Sequence, residues 1–491
     1  MKKYLFFEIY ISCYNIKGNY KFIIIYKYSG GFFMKIQEEV LLSEKTKKSA
    51  SLFNKACEVI PGGVTANIKY FDPHPLMMEK GKGSKLFDVD GNEYIDYLLC
   101  YGALILGHGH QQVFEAVTKQ MMESGTTIFG TPHKMETTMA EKLVELYPGI
   151  EMVRYTNSGL EATLLAIRTA VAYTGKAKIA KFEGHYHGGY DQVLVSVNPD
   201  IDQAGEATAP KAVGESRGLP DYYLDNTVIL PFNDLEATEK ILRAHAHELA
   251  GVILEPIQGG FIPADQDFMT GLRKITEELN IVLIFDEVKT GFRISLGGAQ
   301  KVYGVKPDIT ALGKVLGGGF PVGVIGGKKE IMMISSARGG RDILTAGAEN
   351  KNKQDPLYHS GTYNGHPTIL AAGLATIKVL EQKGTMDQLF ANTQLLREQL
   401  EEVYKSHGLT MQTVGMGSIF NIILGDGEIR NYRDMSKADT KLRKKIDYEL
   451  LKLGIYTKPL NRYSMSVVHT EEDIQRTVAA HDEAIKRVIN K

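Results

Sequence analysis

Two stretches decide the fold, GVILEPIQGG at residues 251–260 and IVLIFDEVKTGFR at residues 281–293. Each opens with a β-branched and aliphatic run of strand length. Each then ends in acid, Glu255 in the first, Asp286 and Glu287 in the second. Runs that are apolar at every position, rather than at alternate ones, suit strands covered on both faces, as in parallel sheets. Between them lies DFMTGLRKITEELN (267–280), whose apolar residues recur at helical spacing. Strand, helix, strand is the unit of a parallel sheet with helices on its faces, so the expected fold class is α/β. In that architecture, ligand-binding groups gather beyond the carboxyl ends of the strands, where these acids stand.

The alternation continues outward. EMVRYT (151–156) reads as a short strand, followed by NSG, a long helix (160–175) and a strand, KAKIAKFEG (176–184). Upstream, residues 109–124 and 134–149 read as amphipathic helices, and residues 75–98 as short strands around the turn signal Asp90-Gly91. From Pro367 the pattern is helical over 368–384 and 386–408, then strand-like, then helical again over 472–491, as in a smaller α+β domain. Residues 199–226 and 337–357 lack periodicity and read as long loops, which are usually lids or insertions. The expected divisions are an extension (1–33), an N-terminal segment (34–95), a large domain (96–366) and a small domain (367–491).

Residues 1–33 stand apart, crowded with Tyr, Phe and Ile. Glu8, Asn15, Lys17, Asn19 and Lys21 interrupt the apolar runs, so the segment falls short of the roughly 20 apolar residues of a membrane span. It also lacks the layout of a signal peptide. Residues 35–60 read as a polar helix directly after Met34, so the folded protein is expected to start at Met34. No other stretch is long and apolar enough to span a membrane. Across the 491 residues, 57 Lys and Arg face 58 Asp and Glu, a net charge of -1, which argues against a dedicated nucleic-acid binder. Cys13, Cys57 and Cys100 have neither metal-site nor disulfide spacing, so a reducing, cytoplasmic setting is the default.

Four local patterns carry chemistry. Asn157-Ser158-Gly159 opens a helix, where free N–H groups and a hydroxyl suit a phosphate; the same residues also make a plain helix cap. Asp286 and Glu287 close an apolar strand, where a carboxylate needs a cation, a metal or a hydrogen-bonded role. Lys314, in ALGKVLGGGFPVG (311–323), is flanked by glycines. A partly desolvated lysine can form a Schiff base, whereas an exposed loop lysine is the plain alternative. The glycine run does not fit a dinucleotide fingerprint, because Phe320-Pro321 follows it. Tyr186, in GHYHGG (184–189), can stack on a ring. His185 and His187 beside it have the spacing of metal ligands, but no third ligand cluster stands out, so no metal is expected. His108 and His110 read as structural.

Taken in order, PGGVTANIKYF (61–71), LFDVDGNEYIDYL (86–98), LGHGH (106–110), NSGLEA (157–162), GHYHGG, EPIQGG, LIFDEVKTGFR, ALGKVLGGGFPVGVIGG (311–327), HSGTYNGHP (359–367) and VVHTEEDI (467–474) resemble the class III aminotransferases. These are pyridoxal 5′-phosphate enzymes of fold type I, and within them the likeness runs nearest to the glutamate-1-semialdehyde aminomutases. It extends from about Phe53 to the C-terminus. The resemblance implies a large domain with a mainly parallel sheet and a smaller α+β domain. It implies that Lys314 carries the cofactor as a Schiff base and moves the proton, and that Asp286 pairs with the pyridine nitrogen. Val288 and Tyr186 match the residues on the two sides of the ring. Ser158 and Gly159 match the phosphate cup. Thr362 matches a phosphate ligand supplied by a neighbouring subunit, which implies a homodimer with shared sites. Residues 190–226 match a mobile gate, and Glu255 a supporting acid.

The chain also departs from that pattern. Leu160 stands where a small hydroxyl residue is usual. Lys69 replaces an arginine that would take the substrate carboxylate, keeping the charge without the bidentate fork. Lys289 stands beside the cofactor in place of Gln or Met. A segment that carries a glutamate in the aminomutases is shorter here, KPLNRYSMSVVHT (458–470), and offers Arg462, a candidate grip for a substrate carboxylate. These departures favour a transaminase, moving an amino group between an amino-acid or amine donor and a carbonyl acceptor. The alternative is the aminomutase itself, in which one substrate is both donor and acceptor. A cofactor-binding protein without turnover is a third reading, against which the Lys314 and Asp286 pair argues.

Overall fold

The computed structural model describes residues 44–338 and 356–490 in full, preceded by the backbone of three strands, Glu8–Ile16, Asn19–Tyr28 and Gly31–Ile36. These strands pair antiparallel in chain order. The third runs through Met34, so the helix expected from residue 35 does not begin there. Its residues 31–36 pair instead with residues 23–28, rich in Ile and Tyr, which favour strands. The first long helix is Lys47–Val59. Most of the expected 337–357 loop lies outside the described residues.

The chain divides into two units, residues 1–80 with 86–93, and residues 81–85 with 94–491. In the first, the Asp90 carboxylate accepts from the N–H groups of Lys48 and Ser49 at 2.7 and 2.9 Å. It thereby caps the first turn of the Lys47–Val59 helix, whose own N-cap residue, Thr46, makes no side-chain cap bond.

The second unit is built on seven strands, β1 (Met152–Thr156), β2 (Lys178–Phe182), β3 (Thr227–Leu230), β4 (Leu249–Leu254), β5 (Val282–Asp286), β6 (Ile309–Gly313) and β7 (Gly323–Gly327). Their order in the sheet is β3-β2-β4-β5-β6-β7-β1. All are parallel except β7, which runs against both of its neighbours. The β6–β7 connection is too short for a crossover helix, so the chain must turn back on itself. Strands β4 to β7 are buried at every position, as the unbroken apolar runs of β4 and β5 require.

Helices α1 (Gln111–Ser124) and α2 (Lys134–Leu146) precede β1. Helix α3 (Gly159–Thr174) links β1 to β2 and packs across β6 and β7. Helices α4 (Leu235–His245) and α5 (Gln266–Glu278) precede β4 and β5. The sheet therefore has two apolar layers. One holds Leu165, Ile253 and Ile284, and the other Leu254, Leu272 and Phe285. Consecutive residues of β5 point to opposite layers, as the pleat dictates.

Beyond the sheet come α6 (Pro367–Leu380), α7 (Thr385–Ser406), an antiparallel sheet of β8 (Met411–Met416), β9 (Ile419–Leu424) and β10 (Tyr463–Ser464), then α8 (Thr440–Lys452) before β10 and α9 (Glu471–Ile489) after it. Residues 199–226 are mainly irregular, with a two-residue ladder and one turn of helix, Asp221–Asp225. No helix among the described residues is long and apolar enough to cross a membrane.

Candidate active site

The site forms where β5 and β6 end. Asp286 is the last residue of β5 and is buried. Its Oδ1 accepts the Val288 N–H at 3.1 Å, and its Oδ2 lies 2.8 Å from His187 Nδ1. His187 Nε2, on the far side of the ring, is buried and without a partner among the described residues. Glu287, one residue on, points away. Its carboxyl caps the following helix by accepting the Ala299 N–H at 2.6 Å, and burial without a cation pushes it up to about 7. The pleat thus decides which of the two adjacent acids faces the site.

In the sequence, His185 and His187 have metal-ligand spacing but no third ligand, and no metal was expected of them. The structure gives each a separate task. His187 holds Asp286, while His185 Nδ1 accepts the Glu255 N–H at 3.0 Å, and burial drives its imidazole well below its usual pKa. Both lie in the loop after β2, which approaches the ends of β4 and β5. A polar residue pair at i, i+2 beside a strand end was the available signal. His108, read as structural, lies 2.8 Å from Asp96.

Lys314 is the first residue after β6, half-buried, with φ of 47°. A left-handed conformation in a lysine is strained by about 1–3 kcal/mol and persists only where the surroundings enforce it. Burial pulls its amine down to about 8. Arg462 and Arg293 push the same way, against Asp286 and Glu255. The glycines after it serve packing. A Cβ on Gly318 would meet Thr376 Oγ1 at 2.7 Å and the Ala372 carbonyl at 2.8 Å, both on α6.

Ser158 is the N-cap of α3, its Oγ accepting the Glu161 N–H at 3.2 Å. The N–H groups of Gly159 and Leu160, first in the helix, have no partner among the described residues, which is the usual opening for an anion. A Cβ on Gly159 would lie 2.4 Å from Val288 Cγ1, and one on Gly313 would lie 3.2 Å from it. Val288 is thus wedged between the helix end and the end of β6, one residue before Lys314. Leu160 lacks the usual hydroxyl, and its side chain covers Gly188 instead, yet its N–H stays open. Asn157 Nδ2 donates to Asn364 Oδ1 at 3.0 Å, which brings the 359–365 turn against this loop, with Thr362 exposed on it. Tyr186 is 51% exposed, and its N–H donates to Glu255 Oε2 at 3.1 Å.

A second group of charges lies alongside. Glu255 accepts from the Gly259 N–H at 3.2 Å and from Lys289 Nζ at 3.3 Å. Burial opposes ionisation of Glu255, but Lys289 and the neighbouring donors outweigh it and hold the carboxyl below its usual range. Burial, then Arg462 and Lys314, pull Lys289 down to about 7. Arg462 is also lowered by burial, with Glu255 and Tyr101 opposing. Tyr101 belongs to a turn that sequence reading missed. Leu99, Cys100 and Tyr101 have φ of 45°, 52° and 56°, three consecutive left-handed residues, and Gly102 next to them accepts the Arg293 Nε–H at 2.6 Å. Only the glycine after them hinted at it. The segment read as a gate is tied down by Arg433, which donates to the carbonyls of Ala204 and Gly205 and grips Glu183 with two bonds. Lys69 belongs to the other unit, exposed in the turn Asn67–Lys69, its Nζ donating to Thr65 Oγ1 at 2.8 Å.

These residues fit the cofactor that the sequence resemblance implies. An open helix end suits a phosphate, a buried carboxylate held by His187 suits a ring nitrogen, and a lysine of lowered basicity suits an aldehyde. Val288 fills the space that a side chain at 159 would take.

Comparison with known proteins agrees. Residues 68–485 match the family model described as aminotransferase class-III. The chain is similar to the glutamate-1-semialdehyde 2,1-aminomutase of Methanopyrus kandleri, 40% identical over 445 residues, covering 90% of this chain and 98% of that protein. It is equally similar to that of Natranaerobius thermophilus, 40% identical over 446 residues, covering 89% and 98%. Among solved structures, an omega-transaminase from Sphaerobacter thermophilus matches with a TM-score of 0.84 at 37% identity, covering 90% of this chain and 98% of that one. A transaminase with PLP bound matches with a TM-score of 0.79 at 31% identity, covering 91% and 98%.

Proposed function

Because the chain belongs to the class III aminotransferases, enzymes that use pyridoxal 5′-phosphate, we propose that it is a glutamate-1-semialdehyde 2,1-aminomutase, moving an amino group within one carboxylate-bearing substrate. The names of the curated relatives, matched over almost their whole length, support this reaction above the two-substrate transamination favoured by the sequence alone.

The cofactor supplies an aldehyde that condenses with amines and a ring that takes up the electron pair left when a substrate carbon loses its proton. The chain does the rest. The helix end at Ser158, Gly159 and Leu160 binds the phosphate, and Val288 and Tyr186 border the ring. Asp286, oriented by His187 and the Val288 N–H, holds the proton on the ring nitrogen. Lys314 is both the amine that binds the aldehyde and the base that carries the substrate proton. With a pKa of about 8, about a tenth of it is neutral at pH 7, far more than for an ordinary lysine. Arg462 takes the substrate carboxylate. Thr362, exposed on its turn, reaches the phosphate of a neighbouring subunit in a homodimer. The cofactor chemistry rests on the meeting of Lys314, Asp286 and the open end of α3, and the single observation that carries the choice of reaction is the near-full-length match to proteins named glutamate-1-semialdehyde 2,1-aminomutase.

Arg462 favours a second reading, transamination between two substrates. An arginine beside the lysine can serve donor and acceptor carboxylates in turn. One assay separates the two. The aminomutase forms 5-aminolevulinate from glutamate-1-semialdehyde with no added amine donor. If that reaction is absent, while an α-amino acid passes its amino group to a second carbonyl compound with ping-pong kinetics, the aminomutase reading fails.

A further inference from the structure

Two cations compete for one carboxylate beside Lys314. Glu255 is anchored through Oε2 by the N–H groups of Tyr186 and Gly259, at 3.1 and 3.2 Å. Its Oε1 lies 3.3 Å from Lys289 Nζ. Arg462 feels the same carboxylate, which opposes the effect of burial on its guanidinium. Both cationic side chains run over Gly260. A Cβ there would stand 2.2 Å from Lys289 Cδ and 3.4 Å from Arg462 Nε. Glu255, Lys289 and Arg462 therefore meet around one turn, Gly259-Gly260, that carries no side chain of its own.

The carboxylate goes to Lys289. The side-chain hydrogen bond of Arg462 goes to the neutral Asn461 Oδ1 at 3.5 Å, and no ion pair forms at Arg462 among the described residues. A partly buried arginine without an anion is costly, and a freed Glu255 would relieve it. Lys289 prevents that closure. Lys289 thus takes Oε1 of Glu255, and Arg462 is left without a carboxylate partner among the described residues.

We propose that Lys289 sets the specificity of the site by occupying Glu255, which keeps Arg462 open for a substrate carboxylate. Lys289 is in this account a positioning residue, acting through Glu255 on Arg462. Carboxylate-bearing substrates are thereby preferred over neutral amines. The inference rests on the reading of Arg462 as the carboxylate grip, and it goes further by naming the residue that keeps the grip open.

Calorimetry of the holoenzyme with glutarate, which has two carboxylates and no amine, tests it. Lys289→Gln should weaken glutarate binding about tenfold or more, as Glu255 swings to Arg462. The double variant Lys289→Gln with Glu255→Gln should bind within a few-fold of the parent, because nothing then competes for Arg462. A merely structural role for Lys289 would not be rescued by removing a second charge. Lys289→Met, with the same double variant logic, serves if the glutamine form fails to fold. Unchanged affinity in the single variant, or no recovery in the double, overturns the role of Lys289. Unchanged affinity in Arg462→Ala instead overturns the carboxylate grip beneath it.

Discussion

Replacing Gly159 by alanine tests the cofactor cradle at its tightest point. The new Cβ would sit 2.4 Å from Val288 Cγ1 and 3.0 Å from Cγ2. Gly159 does not lie among the positive-φ residues, so backbone strain plays no part and the clash is the whole effect. Ordinary carbon contact begins at about 3.6 Å, so one side must yield by about 1.2 Å. If the helix start moves, the open N–H groups of Gly159 and Leu160 move with it. If Val288 moves, it shifts toward the ring position. Overpacking of this kind costs about 1–3 kcal/mol. Taken from cofactor binding, that is about five- to 150-fold in affinity. Titration of the apoprotein with pyridoxal phosphate, followed by absorbance, reads it directly. Val288→Ala supplies the control, since the nearest atom then becomes the Cβ of residue 288 at 3.3 Å, which is tight but tolerable. The double variant should recover at least about 1 kcal/mol relative to additivity. Parent-like affinity in Gly159→Ala, or strict additivity in the double variant, would refute the packing account of this glycine.

Three further outcomes are expected. Asp286→Asn keeps an acceptor for the Val288 N–H but loses the charge that His187 orients, so turnover should fall by about 10²–10³, read in steady-state assays; near-normal rates would remove Asp286 from its role. Lys181 is fully buried, donates to the Val195 carbonyl at 2.6 Å, and is pulled by burial from 10.5 to about 7. Between those values the unfolded chain holds a proton that the folded chain has shed, so stability rises with pH. Relative to Lys181→Met, the parent should gain about 1.4 kcal/mol per pH unit in urea unfolding across that window, and parallel profiles would contradict it. If Thr362 serves a neighbour's phosphate, cofactor affinity should fall on dilution below the dimer's dissociation constant; a fully active monomer in sedimentation would contradict that.

What the sequence showed of the fold follows from burial. Strands β4 and β5 were legible because they are covered on both faces, so their apolar runs are unbroken up to the acid, Asp286, that closes β5. The reversed strand β7, with the sequence GVIGG, has too few side chains to signal its direction, which comes only from the short connection after β6. Lys35 and Ile36, read as the start of a helix, belong to the strand Gly31–Ile36, whose pairing partners lie upstream in residues excluded from the reading. In the site, Lys314 and Ser158 stood out through their glycine neighbours and position at element ends. Asp286 could not be told from Glu287 by composition, since the pleat makes that choice. His187 was hidden because its partner lies 99 residues away, across two strands. The place of Arg462 depends on the chain returning after α8, where the Ser464 N–H donates to the Tyr97 carbonyl at 2.8 Å. No local pattern records such a pairing.

The central claim is that Lys314 is the residue that holds the cofactor. The most direct measurement is borohydride reduction of the yellow holoenzyme, followed by proteolysis and mass mapping of the fixed cofactor. The account predicts a single modified peptide with the adduct on Lys314, and no fixed cofactor in Lys314→Ala even where the phosphate cradle still retains it. An adduct on Lys289 or any other lysine in the parent enzyme, with Lys314 unmodified, would contradict it.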